Sequence, residues 1–151
     1  MKVYSLQDKL EYLDEVVELE YEEWADRKDI DKQDRLKRKK ERICNSFSNK
    51  KFCKLILVNS DELIGFISIF PEDCDEVKDL SPWYATMYVK EKYRKQGYSK
   101  ILNDAILTEA KNRGFKALYL KTDLKNYYEE FGAVFIKKLD NGESLFKIDI
   151  L

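Results

Sequence analysis

Apolar residues recur along this chain in two distinct rhythms, and the switches between them outline its elements. Leu6, Leu10, Leu13, Val17, Tyr21 and Trp24 follow three- and four-residue steps, which predicts one amphipathic helix; residues 2–4 precede it as a short first strand. Ser5 and Asp8 resemble a helix-capping pair at its start. Leu36, Ile43 and Phe47 give a thinner stripe for a second helix. Residues 52–58 and 63–70 are nearly continuous apolar runs around the polar turn 59–62. They predict an antiparallel hairpin of two central strands, ended by Pro71. Residues 72–80 read as an acidic loop, and 84–89 as the next strand. Tyr98, Ile101, Leu102, Ala105, Ile106 and Ala110 share one face of a helix that stops at Arg113 and Gly114. Residues 117–122 follow as a strand, so this stretch reads as a parallel strand-helix-strand unit. A short helix over 124–131 closes at Gly132, and strands 134–137 and 145–150 are joined by a turn at Asp140, Asn141 and Gly142.

Composition narrows the reading. A chain of 151 residues with 44% hydrophobic and 38% charged residues suits one domain, 1–151, with a proper core. No repeat, low-complexity tract or linker divides it. No apolar run approaches the roughly 18 residues of a membrane span. The first ten residues lack the apolar core of a signal peptide. Three cysteines fit neither a disulfide framework nor a zinc site, so no metal and a reducing, cytoplasmic home are expected.

Charge is locally uneven although the net charge is −1. The polar face of the first helix carries Glu11, Asp14, Glu15, Glu18, Glu22 and Glu23, which reads as a solvated face or, alternatively, as carboxylates of which some attract a cationic substrate. Residues 27–42 reverse the sign with Arg35, Lys37, Arg38, Lys39, Lys40 and Arg42. Asp29, Asp31, Asp34 and Glu41 dilute that patch, and no aromatic residue falls within it to stack on bases, so no nucleic-acid partner is expected.

The chain has no histidine. That removes Ser-His-Asp and Cys-His chemistry and every imidazole base, leaving carboxylates, tyrosine, lysine, cysteine and backbone dipoles. The stretch with the strongest chemical signal is 87–100, where a strand enters a charged turn and then a helix. Unpaired N–H groups at a helix start hold anions, and Gly97 lets a ligand approach the backbone.

These residues resemble a known family, the GNAT superfamily of N-acetyltransferases. Arg94-Lys95-Gln96-Gly97-Tyr98-Ser99 is similar to its acetyl-CoA motif, Gln/Arg-x-x-Gly-x-Gly/Ala, and is preceded by Met87-Tyr88-Val89. Ser81-Pro82-Trp83 and the segment Tyr127-Tyr128-Glu129-Glu130-Phe131-Gly132 also resemble family segments. Two departures stand out. Ser99 replaces the usual glycine or alanine, and Lys121-Thr122-Asp123 stands where the family often has an asparagine.

The resemblance implies a mixed, mostly antiparallel α/β sheet of about seven strands, with a central parallel unit and about four helices. It implies acetyl-CoA as acyl donor, its pantetheine arm paired along Met87, Tyr88 and Val89. Its diphosphate would rest on the N–H groups from Lys95 through Gln96, Gly97, Tyr98, Ser99 and Lys100, beside Arg94. It implies direct attack by a primary amine of a small molecule or protein, with Tyr128 donating a proton to the leaving thiolate and Tyr127 packing. Glu72, Asp73 and Asp75 are candidates for the base by position, and Trp83 belongs either to the acceptor pocket or to the core. A non-catalytic acyl-CoA-binding or regulatory module on the same fold is the alternative. A monomer or homodimer fits either.

Overall fold

The computed structural model describes residues 1–24 and 31–151. Arg27 and Asp29, part of the charged stretch above, lie outside the described residues. A seven-stranded sheet runs in the order β1-β2-β3-β4-β5-β7-β6. The strands are β1 (Lys2–Ser5), β2 (Cys53–Asn59), β3 (Glu62–Phe70), β4 (Trp83–Val89), β5 (Ala117–Thr122), β6 (Ala133–Lys138) and β7 (Ser144–Asp149). Every neighbouring pair is antiparallel except β4 and β5, which are parallel. The expected mixed sheet is therefore present.

Helices cover both faces, which explains the unbroken apolar runs of β2 and β3. Leu55, Leu57, Ile67 and Ile69 pack with Leu102, Ile106 and Ala110 of α3 (Tyr98–Asn112). Ile56, Val58 and Phe66 pack on the other face with Val16 and Val17 of α1 (Leu13–Trp24) and Ile43 of α2 (Lys32–Ser46). Each strand thus feeds two cores through alternate residues. Asp31 Oδ1 accepts the Asp34 N–H at 3.1 Å and caps α2.

Three expectations need correction. The first helix begins at Leu13, not near Leu6, because Leu6–Asp8 and Leu10–Tyr12 form separate tight turns broken by the non-helical backbone of Lys9. Leu10 therefore leaves the stripe and is exposed, and Ser5 makes no side-chain cap. The short helix over 124–131 contracts to the single turn Tyr128–Phe131, after Asn126 adopts a left-handed φ of 58°. Three α-helices, not about four, result among the described residues. Of the two places open to Trp83, acceptor pocket or core, the structure gives the core: it is 1% exposed and packs with Val77, Leu139 and Leu145.

Candidate active site

The site originates in β4. Phe66 faces Tyr88 and Ser68 faces Ala85, so Ile67 alone opposes both Thr86 and Met87. This is a β-bulge, and Thr86 sits in it at φ 49°, an unusual conformation for a β-branched residue. On its other edge β4 meets β5 at one position, Trp83 opposite Tyr119, where Tyr119 N–H donates to the Pro82 carbonyl at 3.1 Å. Beyond that pair the two parallel strands diverge, and the edge from Tyr84 onward has no strand partner among the described residues. β3 closes against the far edge. Gly65 approaches the Tyr88 carbonyl so tightly that a Cβ there would lie 2.3 Å from its oxygen.

The turn after β4 is tied down at several points. Lys90 N–H donates to the Ile64 carbonyl at 2.9 Å. Tyr93 donates its hydroxyl to Glu62 at 2.7 Å, and Lys92 pairs with the same carboxylate at 3.0 Å. Arg94 folds back, its Nε donating to the Val89 carbonyl at 2.8 Å and its guanidinium lying 5.5 Å from the Tyr88 ring centroid. Lys95 and Gly97 both adopt left-handed backbone, φ 64° and 84°. Gly97 then caps α3 without a side chain, which leaves the first N–H groups of the helix open to a ligand.

These features enclose a cleft of about 510 Å³. Met87, Tyr88, Val89, Arg94, Lys95, Gly97, Tyr98 and Ser99 form one wall, and Leu124, Tyr127 and Tyr128 the other. The structure thus gathers most of the sequence-derived residues into one cavity. Gln96 and Lys100 are not among them: Gln96 donates to the Lys92 carbonyl at 3.4 Å, and Lys100 reaches Asp104 on the helix surface at 3.4 Å. Tyr127 packs edge-on against Tyr128 and also faces the cleft.

A second cavity, of about 690 Å³, adjoins the first and shares Met87, Leu124, Tyr128 and Glu23 with it. Tyr128 thus stands at the junction. Its ring packs edge-on against Tyr84 at 5.7 Å, and its hydroxyl has no protein partner among the described residues. Burial, reinforced by Tyr127, pushes the phenol up to about 12, so it stays protonated across the physiological range.

The second cavity carries the carboxylates Glu23, Asp73, Asp123 and Glu143 and the lysines Lys39 and Lys121, an acidic balance, against Trp24, Phe70 and Tyr84. Of the three loop carboxylates considered, Asp73 alone lines it; Glu72 and Asp75 are exposed elsewhere. Burial raises Asp73 to about 6, with Lys121 opposing the rise and Glu143 adding to it. No group of three metal-ligating side chains occurs among the described residues. No helix there is long and apolar enough to cross a membrane.

Sequence reasoning missed one group entirely. Lys54 lies in the apolar run of β2, and its Nζ is fully buried against Glu20, which also pairs with Lys39 at 3.0 Å. Lys54 also donates to Ser68 at 2.7 Å, and Ser68 meets Thr86 at 2.6 Å. The signal available was a lone lysine flanked by apolar residues in a central strand, since such a charge needs a partner.

The model of the acetyltransferase (GNAT) family matches residues 12–133. The chain belongs to the GNAT acetyltransferase family. Solved structures share its fold at low identity. An aminoglycoside 6'-N-acetyltransferase complexed with coenzyme A superposes with a TM-score of 0.75 at 18% identity, covering 100% of this chain and 98% of the other. The aminoglycoside 6'-N-acetyltransferase from Enterococcus faecium gives 0.71 at 16%, with 100% and 98% covered. An N-acetyltransferase from Staphylococcus aureus gives 0.74 at 13%, with 99% and 98% covered. No curated protein sequence matches the chain. At these identities the neighbours establish this GNAT protein's fold, and its chemistry rests on its own residues.

Proposed function

We propose that this protein is an acetyl-CoA-dependent N-acetyltransferase acting on a primary amine of a cationic acceptor, such as an amino sugar or a polyamine. The observation that carries this reading is the position of Tyr128, whose phenol, without a protein partner among the described residues, stands where the two cavities meet.

The divergent edge of β4 suits the amides of a pantetheine arm, which would pair with Met87, Tyr88 and Val89 as an added strand does. The open N–H groups around Gly97, with the charges of Arg94 and Lys95, suit a diphosphate. A donor laid along this path would bring its thioester toward Met87 and Tyr128.

The acceptor enters from the second cavity, where the four carboxylates Glu23, Asp73, Asp123 and Glu143 outnumber the two lysines Lys39 and Lys121 and favour a cation. A primary amine must lose a proton before it attacks. Asp73, ionised above about pH 6, accepts that proton directly or through water. The neutral amine then adds to the thioester carbonyl, forming a C–N bond and an oxyanion that a β4 backbone N–H can hold. The C–S bond breaks as the carbonyl re-forms, and the Tyr128 phenol gives its proton to the departing thiolate. The nitrogen's second proton passes directly or through water to the Tyr128 phenolate, which restores the phenol, and Asp73 returns its proton to solvent. The products are the acetamide and coenzyme A.

Calorimetric titration with acetyl-CoA tests donor use, and an amine-panel acetylation assay with thiol-release readout tests transfer. Absence of acetyl-CoA binding at millimolar concentration would overturn the proposal.

A further inference from the structure

The buried chain Lys54–Ser68–Thr86 has a fixed direction, and the direction follows from elementary donor chemistry. The Lys54 ammonium has only donors to offer. It donates to Glu20 and, at 2.7 Å, to Ser68 Oγ. Ser68 is fully buried, and its own hydroxyl hydrogen has one acceptor within reach, Thr86 Oγ1 at 2.6 Å. A buried hydroxyl hydrogen left without an acceptor would be costly, so Ser68 donates to Thr86. The Thr86 oxygen is thereby occupied as an acceptor, and its own hydrogen remains to be given away. Thr86 lines the acidic cavity and has no other side-chain hydrogen bond among the described residues.

The root of the chain is firmly held. Glu20 is 2% exposed and Lys54 1% exposed, and the ammonium also lies 5.6 Å and 5.2 Å from the Phe66 and Phe70 ring centroids. Burial pulls the Lys54 amine downward and the Glu20 carboxylate opposes that fall, while Lys54 and Lys39 together keep Glu20 ionised. The geometry of an amine set against an ionised, buried carboxylate holds Lys54 as the ammonium. A charged donor at the head of a hydrogen-bond chain polarises each later member. The left-handed backbone of Thr86 sets the terminal hydroxyl within the bulge, beside Met87, where the two cavities meet.

We infer that Thr86 is a specificity-determining residue: its hydroxyl is an oriented hydrogen-bond donor for an oxygen on the acceptor, selecting amines that carry a neighbouring hydroxyl or ether over plain alkylamines. Lys54 is a positioning residue acting through Ser68. This rests on the reading of the acidic cavity as the acceptor site. It narrows the acceptor class from cationic amines in general to amino alcohols and amino sugars. A site with an oriented donor penalises the analogue that leaves it unpaired.

The test uses trans-2-aminocyclohexanol and cyclohexylamine, which differ by one hydroxyl, with dissociation constants measured by NMR titration of the full chain. The expected result is about tenfold tighter binding of the amino alcohol, the size of one net hydrogen bond. Thr86→Val keeps the branched shape and should bring the ratio close to one, whereas Thr86→Ser restores it. Lys54→Met should lower the ratio with Thr86 intact, an effect that packing alone does not produce. Equal binding of the two amines by the wild type, a ratio unchanged in Thr86→Val, or binding of neither amine overturns the inference. If Thr86→Val fails to fold, the wild-type ratio decides alone. Donor use is judged separately, by acetyl-CoA titration, so the two readings can fail independently.

Discussion

Tyr84 donates a 2.9 Å hydrogen bond to Asn103 Oδ1, and both side chains are buried. The bond fastens β4 to α3 beneath the cleft, and the same Tyr84 ring supports Tyr128. Replacing Tyr84 by Phe keeps the ring but leaves the Asn103 carbonyl oxygen buried and unpaired. Denaturant unfolding should show a loss of about 1–3 kcal/mol. A change below a few tenths would mean that water replaces the phenol.

Tyr128→Phe separates transfer from binding. The variant loses the phenol hydroxyl and keeps the aromatic packing. The expected outcome is a kcat lower by roughly a hundredfold with little change in the acetyl-CoA dissociation constant. Steady-state kinetics alongside calorimetry checks this. An unaltered kcat removes Tyr128 from the chemistry.

Asp73 predicts the acid limb of the pH profile. Its carboxyl is raised to about 6 in the folded protein, so kcat/KM should fall about tenfold per unit below that pH. Asp73→Asn should lower the plateau and abolish the inflection. The same shift affects stability. The folded state holds this proton more tightly than the unfolded chain does, with its ordinary value of 3.8. The stabilising contribution is therefore full below 3.8 and is lost as pH rises through about 6. At pH 7 Asp73→Asn should raise the melting temperature, and at pH 3 it should not. Thermal melts at the two values decide.

Gly65→Ala should be among the most damaging single changes in the chain. The added methyl meets the Tyr88 backbone oxygen, which cannot swing aside as a side chain would. The expected cost is on the order of 3 kcal/mol, with the cleft distorted at Tyr88 and Val89. Chemical denaturation and acetyl-CoA titration should both register the change.

Periodicity located the strands because most of them are buried on one or both faces by helices, and burial is what apolar runs report. Residues 52–58 and 63–70 lie within one residue of the termini of β2 and β3 for that reason. The turn at Gly97 was legible because a strand, a basic turn and a helix follow one another in sequence. Other features were not. The bulge at Thr86 places a β-branched residue at positive φ, against its local preference, so only tertiary contacts specify it. Asp73 and Tyr128 are 55 positions apart in numbering (128 minus 73), and folding alone brings them to one cavity. Lys54 was hidden because a single charge barely disturbs an apolar run, while its partners Glu20 and Ser68 lie on other elements.

The parting of β4 and β5 after Trp83 puts a rim in the middle of the sheet, with no strand across it among the described residues. An extended chain with its own amides would knit that seam and add its binding free energy to the native state alone. Native stability would then track occupancy, gaining about 2.7 kcal/mol when the occupant is at a hundred times its dissociation constant. Such a protein resists unfolding and proteolysis best where its partner is abundant, so supply of the metabolite would govern the lifetime of the catalyst as well as its rate.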